Sequence, residues 1–163
     1  MIAIFACTVH ADSNTVQPGI KKLLYNLLFT CAWQTIKEVS KDKRNRLEAK
    51  TGMIAVLHTW KQNIDYHPHL HCIIPAGGIT ANHKWKSSPS NGDYLFPVIA
   101  LSEVFKGKFM HELKRLYRNQ KLNFPDKIPK PAEYFYRIRE TLYQIDWVVY
   151  SKESFQNEKS VFE

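Results

Sequence analysis

The spacing of apolar and polar positions divides the chain into helical and alternating stretches. From Pro18 onward, Leu23, Leu24, Leu27, Leu28, Cys31, Ala32, Ile36 and Val39 recur at three- and four-residue steps, the period that lines one face of an α-helix. A helix with one such stripe is expected to cover a sheet. Residues 53–60 and 67–75 read as strands, with residues 61–66 supplying a turn between them, which predicts an antiparallel hairpin. A reversal near Ile64 sets position 58 opposite position 70 or so, beside both 69 and 71.

Beyond the hairpin, Ala81, Asn82 and His83 carry turn chemistry and lead into a short strand at Lys84, Trp85 and Lys86. Gly77 and Gly78 are not a phosphate loop, because no helix opens after them and no Lys-Ser/Thr pair follows. They mark a bulge or a close approach by another backbone. Residues 87–93 read as an exposed loop. Ser102 is placed to cap a second helix in which Phe105, Phe109, Leu113 and Leu116 share a face. Pro131 suits the start of a third helix, with Tyr134, Phe135, Ile138, Leu142 and Tyr143 as its apolar members. Residues 146–150 form a further strand, and the apolar residues 1–7 are either a strand or a loose terminus. This order predicts an α+β layer sandwich built on an antiparallel sheet.

At 163 residues the chain is long enough for one domain with its own core. The apolar start has no basic leader and is too short to span a bilayer, so no membrane partner is expected. Cys7, Cys31 and Cys72 are far apart, with no C-x-x-C pair; this argues against a zinc ribbon or a disulfide framework and points to a cytoplasmic setting.

Charge changes the picture more. A net charge of +8 with a pI near 9.4 favours an anionic partner, with nucleic acid leading. Residues 104–130 hold eight Lys/Arg against Glu112 and Asp126, a local net of +6. Lys114, Arg115, Arg118 and Lys121 fall on the helix face opposite the apolar one and are candidate contacts to a DNA backbone. The basic run at residues 41–46 is as readily a solvated helix end favoured by the helix dipole as a phosphate contact.

Histidine carries the chemistry. His67, His69 and His71 stand at alternate positions of one strand, with His58 on the preceding one. Successive strand side chains point to opposite faces, so His69 and His71 project together, while Leu70 and Cys72 project the other way. With His58 beside them, three imidazoles can converge on a divalent ion and leave coordination positions open for water or substrate oxygen. His67 is expected to matter less, because Pro68 and the turn swing it out of the sheet.

Taken together, these segments resemble the two-tyrosine HUH transposases of the rolling-circle type carried by insertion sequences. The resemblance lies in Leu23 to Phe29 with Ala32 to Thr35, in Ala55 to Trp60, in His67 to Gly78, in Leu95 to Val98 with Leu101 and Ser102, and in Val149 to Lys152. It covers residues 21–163 as a partial catalytic domain and leaves residues 1–20 as a divergent N-terminal segment, where the family has a cysteine-rich zinc-binding one. It implies an HUH-endonuclease-like, ferredoxin/RRM-like central antiparallel sheet flanked by helices, with His69-Leu70-His71 as the motif that holds Mg²⁺ or Mn²⁺. His58 matches the third histidine of related relaxases. The implied activity is attack of a tyrosine hydroxyl on single-stranded DNA at transposon ends, leaving a 5′-phosphotyrosine and a free 3′-OH.

The resemblance also implies a Tyr-x-x-x-Tyr helix just after the segment that ends at Glu163. On that reading the chain is a truncated domain with the metal and DNA-binding parts kept, and inactive alone. Tyr134 and Tyr136 fall on different helix faces, and Tyr143 and Tyr150 span a helix and a strand, so all four are expected to be packing or surface aromatics. Two other classes stay open. One is a metal-dependent phosphodiesterase, for which Asp65 is the nearby candidate base. The other is a non-enzymatic nucleic-acid-binding module.

Overall fold

In the computed structural model, residues 2–6, 18–60, 66–89, 96–122, 124, 128–144 and 147–152 are described. Four strands form one antiparallel sheet: β1 (Ile2–Ala6), β2 (Ile54–Trp60), β3 (Tyr66–Ile73) and β6 (Val148–Lys152), in the order β2-β3-β1-β6. The N-terminal apolar stretch is thus a strand of the sheet, paired with β3 on one side and β6 on the other. Its insertion makes β3 an interior strand. A separate two-stranded ribbon is formed by β4 (Gly77–Ile79) and β5 (Trp85–Ser87).

Three helices complete this α+β architecture: α1 (Pro18–Lys41), α2 (Val98–Arg118) and α3 (Pro131–Gln144). The predicted stripe of α1 is the buried one: Leu27, Leu28, Cys31, Ala32, Ile36 and Val39 all lie in the core. Thr35 shares that face, and its hydroxyl satisfies itself by donating to the Cys31 carbonyl at 2.8 Å. After α1 the chain turns through a short 3₁₀ segment, Lys43–Asn45, capped by Asp42. Arg44 forks onto the Asp42 carboxylate at 2.6 Å, so part of the basic cluster is a local cap arrangement.

The second helix begins earlier than expected. Pro97, with φ −61°, is its N-cap, and Ser102 lies one turn inside. Burial decides this: Leu101 and Phe96 are in the core, so the apolar face runs back past the serine. The Ser102 hydroxyl instead donates to the Trp147 carbonyl at the entry to β6. The same tryptophan donates its indole N–H to the Leu142 carbonyl at 2.8 Å and packs against Phe105 and Phe109. At its other end α2 stops at Arg118, and Gln120 takes φ 54°.

Leu70 and Cys72 of β3 and Val149 of β6 join α1 and α2 in a single hydrophobic core, with Ala55 and Leu57 packed against it. The helices therefore cover one face of the sheet. Ile54, Val56 and Ile73, from the alternate positions, are 67%, 52% and 42% exposed, which identifies the other face as open.

Candidate metal centre

The register between β2 and β3 decides what the histidines can do. His58 pairs directly with His69, and Leu57 with Leu70. Position 58 is therefore not opposite position 70, as a turn centred on Ile64 would give. The difference matters because a one-residue slip moves a side chain to the other face of the sheet. Opposite Leu70, His58 would point into the core. Opposite His69, it joins His69 and His71 on the open face.

A bulge contributes to this register. Trp60 pairs with Tyr66, and the ladder shifts by one residue between His58 and Trp60. The extra residue is on β3, where two residues between Tyr66 and His69 oppose one on β2; continued from Trp60 and Tyr66 without it, the ladder would set His58 opposite Pro68, on the same face as Leu70. The turn itself, with Asp65, lies outside the described residues.

The three imidazoles gather closely. Ring centroids are 4.1 Å apart for His58 and His71, 4.9 Å for His69 and His71, and 5.5 Å for His58 and His69. One nitrogen from each lies within 4.8 Å of the others, and all three side chains are half-buried. No other such group of His, Cys, Asp or Glu comes together among the described residues. Burial, then the nearby His58 and His69, hold His71 below the ordinary histidine pKa, so His71 disfavours a proton and keeps a lone pair available.

This donor set fits a divalent cation. Neutral imidazole nitrogens at this separation can close on one ion, and three of them leave positions open on the solvent side. Cys72, next to His71, is not part of it: the side chain is in the core, and burial pushes its thiol up to about 12. The exposed apolar side chains of Ile54, Val56 and Ile73 flank the histidine rows. Sequence reasoning passed over them, although they stand at even steps from His58 and from His71.

The candidate DNA contacts fare differently. Lys114, Arg115 and Arg118 are exposed on α2, but Arg115 is engaged by Glu112 one turn back at 2.5 Å. Lys121 lies beyond the helix end, where its backbone N–H donates to the Leu116 carbonyl. Because α2 belongs to the layer that covers Leu70 and Cys72, these cations are not on the histidine face. Among the tyrosines, Tyr117 stacks on Phe135 at 3.8 Å, and Tyr134 and Tyr136 meet Phe124 and Tyr117. Tyr143 lies beneath the Lys106 ammonium. All four rings make aromatic or cation contacts. The side chains of His67 and Tyr150 are outside the described residues.

Comparison with known proteins gives the family context. A family model described as "Putative transposase" matches residues 52–163. A curated protein of Sinorhizobium fredii (strain NBRC 101917 / NGR234), "Putative transposase y4qJ", is 35% identical over 145 residues, which is 88% of this chain. The chain spans 36% of that relative's length. No solved structure matches.

Proposed function

The chain belongs to this transposase family, and on that footing we propose that it is the part of a nicking and joining machine that holds single-stranded DNA and a divalent ion for rolling-circle transposition. The observation that carries this reading is the convergence of His58, His69 and His71 within 4.8 Å on the open face of the sheet. The fold of the reading is HUH-endonuclease-like: a ferredoxin/RRM-like antiparallel sheet with the histidine motif on an interior strand.

His58, His69 and His71 would hold Mg²⁺ or Mn²⁺, and an all-nitrogen set favours manganese, since magnesium prefers oxygen ligands and retained water. An ion bound there supplies positive charge beside a scissile phosphate. The protein's share is to keep His71 neutral and the three imidazoles oriented, and to frame them with Ile54, Val56 and Ile73 so that water is thinned around the phosphate. In the reaction a tyrosine oxygen bonds to phosphorus, the bond to the 3′ oxygen breaks, the phenolic proton leaves to solvent, and the departing 3′ oxygen takes one up from solvent to give the free 3′-OH. The energy of the phosphodiester is kept in the phosphotyrosine and is available for rejoining. Tyr117, Tyr134, Tyr136 and Tyr143, occupied as described, are not the nucleophile of this reading.

Binding of a labelled single-stranded oligonucleotide with Mn²⁺, and again after chelation, tests the proposal. Stronger binding with Mn²⁺ that His69→Ala removes supports it. Binding indifferent to chelator favours a plain nucleic-acid-binding module, and metal-dependent release of a free 5′-phosphate favours a hydrolase.

A further inference from the structure

The ribbon formed by β4 and β5 carries an arrangement that the metal centre does not use. Its ladder pairs Ile79 with Trp85, and Lys50 bridges Ile79 from the other side. The bridge is made by reciprocal backbone hydrogen bonds of 2.8 Å between Lys50 and Ile79. Directly opposed residues share a face, so Lys50, Ile79 and Trp85 form one cross-strand row, about 10 Å from end to end at ordinary strand spacing. All three are exposed, Ile79 by 42% and Trp85 by 56%.

Gly77 gives this row its floor. A Cβ placed on it would lie 2.5 and 2.8 Å from two ring atoms of Trp85, so the indole rests against the bare glycine backbone. An aromatic ring seated on one side by a glycine and open to solvent elsewhere is a stacking surface. A tryptophan placed for packing alone would be expected to bury most of its area, as Trp147 does at 5% exposure.

Charge complementarity identifies the occupant. From residue 66 to residue 89 the sequence has no Asp or Glu, and Lys50 places an ammonium at the end of the row, while Lys84 and Lys86, at alternate positions to Trp85, belong to the other face of the ribbon. We propose that the Lys50-Ile79-Trp85 row is a base-stacking platform for single-stranded DNA, with an unpaired base on the Trp85 indole and the adjoining phosphate on Lys50. It rests on the single-stranded DNA reading above and adds to it a second contact, on a ribbon that begins six residues after His71 in the chain. Stacking on an aromatic side chain is tolerant of base identity and needs the base unpaired, so the platform selects single strands without selecting sequence.

The test is a cycle between Trp85 and the base, run on the full chain by fluorescence anisotropy with a 5′-labelled single-stranded oligonucleotide and its abasic counterpart. Trp85→Ala is expected to weaken binding of the intact strand about ten-fold, and Trp85→Phe to retain most of it. Removing the bases should cost the wild type about ten-fold more than it costs Trp85→Ala. The salt slope should be unchanged in Trp85→Ala and reduced by about 0.7 in Lys50→Gln. Thermal unfolding of each variant accompanies the titrations. An equal abasic penalty in wild type and Trp85→Ala overturns the platform while leaving the metal reading intact, and so does a Trp85→Ala variant altered only in oligomeric state. Failure of the wild type to bind any single strand overturns both.

Discussion

His58 lies nearer to His71, its diagonal neighbour across the β2–β3 ladder, than to His69, its direct partner: 4.1 Å against 5.5 Å between ring centroids. Twist between adjacent strands brings one diagonal together at the expense of the other. The result is a triangle of imidazoles rather than a row, and a triangle can close on one ion.

Calorimetric titration should therefore show Mn²⁺ binding that His58→Ala, His69→Ala and His71→Ala each reduce by at least ten-fold, about 1.4 kcal/mol. Ligation requires neutral imidazole, so affinity should fall as pH drops through the ordinary histidine range near 6.5. His71, held below that value by burial and its neighbours, should take up its proton below that range if the ion is withheld.

The lowered pKa of His71 also has a stability consequence. Its folded form binds a proton less readily than the unfolded chain does, so its contribution is present above the unfolded value of 6.5 and is lost as pH falls through the lower folded one. Urea unfolding of the metal-free protein should give a steeper loss of stability on acidification in the wild type than in His71→Gln.

Lys114 and Arg118 belong to the helix layer, and the histidines to the opposite face of the sheet. If both contact DNA, they do so independently. Lys114→Gln with Arg118→Gln should flatten the salt dependence of single-strand binding by about 1.4 in slope. The effect should add to that of His69→Ala without coupling. Arg115→Gln should change the slope less, since Glu112 already holds that guanidinium. An unchanged slope would mark this helix face as merely solvated.

Ser102 ties α2 to the start of β6 through the Trp147 carbonyl. Ser102→Ala should cost about 1 kcal/mol in urea unfolding, the loss of a part-buried hydrogen bond partly offset by better helix propensity. Gly78→Ala should cost more, on the order of 2 kcal/mol, because its Cβ would sit 2.7 Å from the Lys50 carbonyl oxygen. A Gly78→Ala variant as stable as wild type would show that the ribbon can shift away from Lys50.

Residues 1–163 with Mn²⁺ and a labelled oligonucleotide should give no covalent adduct on denaturing electrophoresis. Tyr117, Tyr134, Tyr136 and Tyr143 are engaged in packing or lie beneath a cation, and transesterification needs a hydroxyl in line with the leaving oxygen. An adduct lost in Tyr134→Phe, Tyr136→Phe, Tyr143→Phe or Tyr150→Phe would assign an internal nucleophile and reverse this view.

The sequence by itself determined what local periodicity encodes. The stripe from Leu27 to Val39 can be buried only as one face of a helix, and the alternation around His69 and His71 puts both imidazoles on the same side of whatever sheet they join. The close approach at Gly77 and Gly78 was likewise legible, because only a missing side chain allows it. The tertiary structure decided the rest. Whether His58 faced the core or the other histidines depended on a one-residue shift beside Trp60, which follows from the paired ladder and not from either strand alone. The start of α2 at Val98 was hidden because Ser102 has the chemistry of a cap, and only burial of Leu101 and Phe96 reveals the extra turn. The insertion of β1 beside β3 is a long-range pairing, and such pairings are chosen by the surfaces that elements bury together, a quantity no local pattern contains.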